Sequence, residues 1–498
     1  MITGRPQVVM VHVIVGGANA LGGIINAARA NVPILMTAGR TPLTERDLPG
    51  ARDLQIHWAQ ESFDQGAMFR EWVKWDYELR NFSQLESVVD RALAIACTEP
   101  QGPVYLALPR EVLTERQETF AYAESSRAGK PAPLMPDPAS IEEAARLLAS
   151  ARQPLVIARA AGRDPGAVPA LVAFAEAFGA PVVEHFHTYV NFPQDHALHA
   201  GFNAAVDLES ADVIVALESD APWFPRLQNP SPDARIIHIG VDPLYARYPI
   251  RSFPCDIALG GQPRLTLRAL AEAGARLADR AAVAERTARW GAESARRRAA
   301  AAEAARLVAA DTPIDMTWVS RCIGDVLDET TLVVNEYDLQ AAQTCFRRPG
   351  RYFASPASSG LGWGLGAALG AKLAAPDQTV ICTVGDGAYM FGAPTAAHFV
   401  ARASDLPVLF VVFNNRAWNA VKRSARAQAP EGWAARTGVM PLSDLDPAPD
   451  YELICRASGG HGERVEDPAA LPGALRRALH AVRHERRQAL LNVICKKP

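Results

Sequence analysis

The sequence predicts an α/β protein of three domains, each an open parallel sheet flanked by helices. Three observations lead there. Apolar runs such as Val213 to Leu217 and Val380 to Val384 have strand length and no polar alternation, as in strands covered on both faces. Segments of helical spacing separate them, the rhythm of β-α-β units. Finally, 498 residues suffice for about three domains, and two stretches of different composition divide them. The expected limits are 1–117, 138–275, a helical connector at 276–312, and 313–498.

Charge narrows the class. Charged residues are 21% of the chain and the formal net charge is −3, so neither a nucleic-acid partner nor an acidic tail is expected. Arg296-Arg297-Arg298 lies in an Ala/Glu-rich helical stretch and reads as a solvated face. The seven cysteines form no CxxC pair, which favours reduced thiols in a cytoplasm. No apolar run approaches the ~18–20 residues of a membrane span, and no signal peptide is expected before the first strand.

In the first domain Val8 to Val15 reads as a buried strand and Ala18 to Ala30 as a helix with small, close-packing residues. Val32 to Thr37 and Pro103 to Leu108 are further strands. Gly16-Gly17-Ala18-Asn19 is then a turn at the carboxyl end of the first strand, the edge where parallel sheets bind ligands. Residues 116 to 137, with Ser125, Ser126, Pro131 and Pro133, form a polar linker.

In the second domain Ile141 to Ser150 and Ala167 to Phe178 are helices. Pro154 to Ala158, Pro181 to Glu184, Val213 to Leu217 and Ile236 to Val241 are strands. No GxGxxG is present, so no nucleotide is expected there. His185, His187 and His199 match no metal-site spacing and are expected in loops near a central cleft. From 264 to 310 the chain is rich in Ala, Arg, Glu and Leu, hence helical.

The third domain opens on the strand Thr331 to Val334, followed by Asn335-Glu336-Tyr337-Asp338-Leu339. Small residues in ASSGLGWGLGAALGA (357–371) suit a helix start close to a ligand or, equally, a glycine-rich helix–helix contact. The strand Val380 to Val384 ends in Gly385-Asp386-Gly387, Pro394 to Ala403 is a helix, and Leu406 to Phe413 is a strand ending in Asn414-Asn415. Glycines beside Asp386 let the backbone approach a phosphate, and Asp386 with Asn415 offers hard oxygens suited to Mg²⁺. Gly-Asp-Gly alone is also a common turn. Ala489 to Ile494 is the closing strand.

Spacing makes the pattern specific. Twenty-six residues separate Gly387 from Asn414, and GDG…NN at that distance resembles the signature of thiamine diphosphate enzymes. TGRPQVVMVHVIVGGANALGGIINA, WAQESFDQGAMFREWVKW and PQGPVYLALPREV resemble the pyrimidine-binding domain of the family's 2-oxo acid decarboxylases and acetolactate synthases. The similarity is nearest in character to benzoylformate decarboxylase. KWDYEL and GPVYLALP lean to the decarboxylases, and the QE-DQ run leans to the synthases.

The resemblance implies a pyrimidine-binding domain, a central Rossmann-like domain that in some members binds FAD or ADP, and a diphosphate-binding domain. It implies Asp386, Asn415 and the carbonyl of Ala417 as ligands of Mg²⁺. Gly360, Leu361, Gly385, Gly387, Ala388 and Asn414 would contact thiamine diphosphate, with Leu361 wedging its two rings into a V. His12, seven residues before Asn19, would shuttle a proton; the alternative is a buried histidine bonded to a neighbouring carbonyl. Gln60 and Trp418 are further candidates, Trp418 at the substrate pocket. Asp338 and Leu339 stand where the family places small hydroxyl residues on the diphosphate, and an Asp is electrostatically poor there.

The implied reaction is decarboxylation of a small 2-oxo acid through an enamine, which is then protonated or attacks a second carbonyl, in a homodimer or tetramer. In the family a Glu some tens of residues before the TG-P run helps activate the cofactor. Here Met1 stands two residues before Thr3-Gly4. The expectation is a start lying upstream, or a diverged or truncated chain. The alternative function is an impaired paralogue or regulatory subunit pairing with a complete member.

Overall fold

The computed structural model describes residues 1–119, 121 and 131–497. Of the expected linker, Ser125 and Ser126 lie outside the described residues. Apart from Met1 and Ile2, contacts divide the chain into Thr3–Pro133 with Pro356–Gly360, and Leu134–Ser355 with Leu361–Pro498.

The first unit holds a four-stranded sheet of β1 (Gln7–Val11), β2 (Ile34–Arg40), β3 (Asp76–Glu78) and β4 (Val104–Pro109), ordered β1-β2-β4-β3 and parallel throughout. The inner strands β2 and β4 bury Met36, Ala38, Val104 and Tyr105. The expected strand from Val8 to Val15 is corrected here: β1 ends at Val11 and a helix runs Val13–Arg29. Period decides the matter. A strand would put Val13 and Val15 on one face, but Val13 is 5% exposed and Val15 is 50% exposed. Val13, Gly17, Ile24 and Ala27 are buried at helical spacing instead. Gly16-Gly17-Ala18-Asn19 therefore lies inside a helix and is not a turn at the sheet edge.

The second unit holds two parallel sheets. One is built from β5 (Pro154–Ala158), β6 (Val182–Val183), β7 (Val213–Leu217), β8 (Arg235–Gly240) and β9 (Ile257–Gly260), ordered β6-β5-β7-β8-β9. Helices Pro138–Ser150, Ala167–Phe178 and Pro263–Leu277 cover it with Leu148, Phe174, Phe178 and Leu270. The stretch rich in Ala and Arg is two helices, broken where Asp279 accepts from the Ala281 N–H to start Arg280–Leu307. The three central histidines are taken up in packing. His199 Nε2 meets Glu184 Oε2 at 3.1 Å, His187 stacks on Tyr352, and His185 packs edge-on to Phe186.

The other sheet comprises β10 (Thr331–Glu336), β11 (Tyr352–Ala354), β12 (Thr379–Gly385), β13 (Val408–Asn414), β14 (His461–Val465) and β15 (Ala489–Ile494), ordered β11-β10-β12-β13-β15-β14. Every pairing is parallel. The chain leaves β10 for β11 on one side and returns to β12 on the other, so strand order reverses between β10 and β12. Crevices outside the carboxyl ends of strands at such a reversal bind ligands. All seven cysteines are free. Among the described residues no helix is long and apolar enough to cross a membrane.

Candidate functional site

The carboxyl ends of β10, β12 and β13 bring most of the expected residues together. Gly385 closes β12 and is the N-cap of the helix Asp386–Phe391, whose first residue is Asp386. Asp386 is 1% exposed. Its Oδ1 accepts the Gly387 N–H at 2.8 Å, while Oδ2 is buried with no hydrogen-bond partner. Burial pushes this carboxyl up to about 6, opposed by the N–H groups of Gly387, Arg416 and Ala417, which favour the charged form.

Asn415, just past the end of β13, repeats the pattern: it is buried and its Oδ1 has no partner. Leaving buried oxygens bare costs about 1–3 kcal/mol each. A hard divalent cation removes that cost at both atoms, so the donor set fits Mg²⁺. The Ala417 carbonyl accepts the Asn419 N–H at 2.8 Å and keeps a second lone pair.

A chain of amides holds this loop. Asn414 Oδ1 accepts the Arg416 N–H at 3.2 Å, and Asn414 Nδ2 donates to Asn492 Oδ1 at 3.0 Å. Asn492 Nδ2 in turn donates to Glu452 Oε2 at 2.8 Å. Arg416 takes φ +57° between the two asparagines and Ala417. Asn414 thus shapes the turn, with both ends of its amide engaged. Asn492 was missed from sequence, although one polar residue in the apolar run Ala489–Ile494 is a visible signal.

Trp418 lies against the same loop. A Cβ on Gly387 would stand 2.5 Å from its indole ring, so glycine is required for the close approach. Ala388 is buried behind it.

At the end of β10, Tyr337 and Asp338 both adopt left-handed backbone, at φ +66° and +71°. A Cβ on Gly385 would be 2.7 Å from Asp338 Oδ2. Loss of hydration, with the charge of Asp386 adding to it, pushes the Asp338 carboxyl up to about 7. The Asp338 carboxylate thus lies against Gly385, beside the Asp386 turn.

Glu336, in the sequence only half of a dipeptide after a strand, lies within β10. It is fully buried and accepts the N–H groups of Gly362 and Gly364 at 2.7 and 2.6 Å. That pins the start of the helix Trp363–Ala374 directly after Leu361, itself partly buried. Burial raises the Glu336 carboxyl above the usual range against these donors.

The first unit holds the rest. Asn26, unforeseen, grips Gly360: its Oδ1 accepts the Gly360 N–H at 2.9 Å and its Nδ2 donates to the Gly360 carbonyl at 3.0 Å. His12 is exposed at the N-cap of Val13–Arg29 and makes no side-chain cap bond, so the buried, carbonyl-bonded alternative does not hold. Gln60 ends the short helix Ile56–Ala59 beside Glu61, whose carboxylate binds Thr41 Oγ1 at 2.8 Å, Arg40 at 3.0 Å, and Arg52.

Family comparisons bear on this geometry. Three profiles match in order: "Thiamine pyrophosphate enzyme, N-terminal TPP binding domain" at residues 1–68, its central domain at 141–270, and its C-terminal TPP binding domain at 336–493. The chain is 26% identical over 504 residues to acetolactate synthase isozyme 3 large subunit of Escherichia coli (strain K12), covering 97% of this chain and 83% of the relative. It is 28% identical over 505 residues to benzoylformate decarboxylase of Pseudomonas aeruginosa, covering 97% and 87%. The solved thiamine diphosphate-dependent 4-hydroxybenzoylformate decarboxylase of Rhodococcus jostii RHA1 superposes with TM-score 0.76 at 22% identity, covering 100% of this chain and 89% of that one; it shows the shared fold. A GDG turn arises often by chance, but three domains of one family in their proper order along one chain do not, and this chain belongs to the thiamine pyrophosphate enzymes, with thiamine diphosphate as its cofactor and decarboxylases and acetolactate synthases as its relatives.

Proposed function

We propose that the chain decarboxylates a small 2-oxo acid with thiamine diphosphate and Mg²⁺. The observation that carries this reading is the pair of bare buried oxygens, Asp386 Oδ2 and Asn415 Oδ1, beside the reversal of strand order. Those two atoms and the Ala417 carbonyl hold the cation, and Asn414 keeps the turn in shape. Thiamine diphosphate, when bound, supplies an acidic ring carbon that adds to the keto carbon and a ring that takes up the electron pair left as carbon dioxide departs.

The chain's own residues bind and orient. Gly385, Gly387 and Ala388 keep the main chain open to the diphosphate, and Gly360 and Leu361 present the turn on which the cofactor bends. The Trp418 ring on Gly387 walls the substrate side and excludes water. His12 Nε2 carries a proton to or from the reacting carbon, and Gln60 hydrogen-bonds the substrate. Residues 1–117 serve the pyrimidine end, 138–275 form the central domain, 276–312 connect, and 313–498 serve the diphosphate end. The setting is a cytoplasmic homodimer or tetramer.

The chain has relatives named as decarboxylase and as synthase, and for this chain the two outcomes would differ in the fate of the carbon left after carbon dioxide departs. The test supplies phenylglyoxylate and pyruvate separately, with and without Mg²⁺ and thiamine diphosphate, and measures carbon dioxide and carbon products. Release that needs both additions is the expected result. An aldehyde product marks the decarboxylase, and a 2-hydroxy ketone or 2-hydroxy-3-oxo acid the carboligase. Cofactor binding with no release from either 2-oxo acid would replace this reading with the impaired paralogue or regulatory subunit.

A further inference from the structure

The helix Arg280–Leu307 leads from the central sheet to the third one, and a cavity of about 590 Å³ opens beside it. That size suits a small molecule. Its walls come from the loop 199–206, from the helix between Ser294 and Ala302, and from segments 321–325 and 342–345.

The walls are held by specific bonds. Ser294 Oγ donates to the His199 carbonyl at 2.7 Å, and Arg297 reaches the Ala200 carbonyl at 2.6 Å and Asp207 at 2.7 Å. Gln343 Nε2 donates to the Ala301 carbonyl at 2.7 Å, and Gln194 Oε1 accepts the Phe346 N–H at 2.8 Å. Those bonds fix the orientation of both amides. They leave Gln194 Nε2 and Gln343 Oε1 without partners, in wall residues 4% and 6% exposed.

Charge is unbalanced in one direction. Four arginines line the cavity, Arg296, Arg297, Arg298 and Arg321, with Arg296 and Arg298 exposed at its mouth. Glu293 pairs with Arg296 and Arg297, Asp207 also pairs with Arg297, and Asp325 pairs with Arg321. Arg298 meets a neutral group, Ser294 Oγ at 2.6 Å, and no carboxylate pairs with it among the described residues. One positive charge is therefore left over. Phe202, Val206, Ala301 and Ala302 supply an apolar wall nearby.

A guanidinium without a counter-charge beside apolar wall is the chemistry that recognises a carboxylate on an apolar body. We propose that this cavity binds a small organic monoanion of the aryl or alkyl carboxylate class, with its carboxylate on Arg298 and its apolar part against Phe202 and Val206. None of the cavity's residues belongs to the Asp386–Asn415 loop, so occupancy does not require the cofactor.

The test is calorimetric titration of the full chain with phenylacetate and with its neutral analogue phenylacetamide, together with crystals soaked in 4-bromophenylacetate. Arg298→Ala should weaken phenylacetate at least tenfold, and phenylacetamide should bind the wild type no better than phenylacetate binds that variant. Ala302→Trp should fill the cavity and abolish binding. Both variants should keep the wild-type melting temperature and thiamine diphosphate affinity, and the bromine should lie beside Phe202. Unchanged affinity in Arg298→Ala, equal binding of acid and amide, or bromine found only elsewhere would overturn the assignment. Should Arg298→Ala fail to fold, the acid–amide comparison and the bromine position on the wild type decide.

Discussion

Asn492 shows how a buried side chain far in sequence from the Asn414-Asn415 turn governs its shape. It donates to Glu452 and accepts from Asn414, which in turn accepts from the Arg416 N–H. Asn492→Leu keeps the branched heavy-atom shape and removes both bonds, leaving Glu452 and Asn414 unsatisfied in the interior at about 1–3 kcal/mol each. The melting temperature should fall, and Mg²⁺ affinity, measured by titration, should weaken about tenfold as the turn loosens. A second residue sets a pH response. His238 is buried and lies beside Arg251, which donates to its Nδ1 at 3.1 Å; burial first, then that charge, lowers its pKa to about 4. The unfolded chain takes up a proton near 6.5 and the folded chain does not, so this contribution is complete above 6.5 and is lost as pH falls toward 4. Between pH 7 and 5 the loss is about 2 kcal/mol. Urea midpoints should therefore drop less on acidification in His238→Asn than in the wild type. The burial of Asp386 and Asn415 together at the sheet edge was open to the sequence because hard oxygens at a recognisable spacing are a local signal. Asn492, Asn26 and Glu336 were not, because their partners lie 78, 334 and 26 residues away and no sequence window contains both.

Elements were legible where burial is uniform along a strand or recurs at helical spacing along a helix. Pro154–Ala158, Ala167–Phe178, Val213–Leu217 and Pro394–Ala403 have the expected limits because their apolar runs end at capping or turn residues. The Val8–Val15 run misled, since Val and Ile suit strands yet here continue into a helix whose period is fixed by packing on Phe69 and Met36. Short strands such as β3 and β11 carry too few residues for any period. The Trp363–Ala374 helix has a less usual start: its first N–H groups are satisfied by a buried carboxylate from a strand and not by a local cap. Glu336→Ala would orphan those donors. It should lower stability by about 3 kcal/mol and speed hydrogen exchange at Gly362 and Gly364, while Glu336→Gln, which keeps one acceptor oxygen, should fall between. Exchange at those amides unchanged in Glu336→Ala would show that the helix start is held by something else.

At the scale of the molecule, three parallel sheets follow the expected order, and the Asp386 and Asn415 turns lie beside the third sheet's reversal of strand order. The one discord is Asp338, a carboxylate beside the loop proposed to hold the diphosphate. A bound cation is what reconciles an acidic loop with an anionic cofactor, so binding of the two should be tightly linked. Calorimetric titration of thiamine diphosphate into the wild type and into Asp386→Ala, each with Mg²⁺ and with EDTA, measures that linkage. Binding should be seen in the wild type with Mg²⁺ alone, and should weaken at least a hundredfold with EDTA or in Asp386→Ala. Equal affinity in all four titrations would contradict a cation held by Asp386 and Asn415.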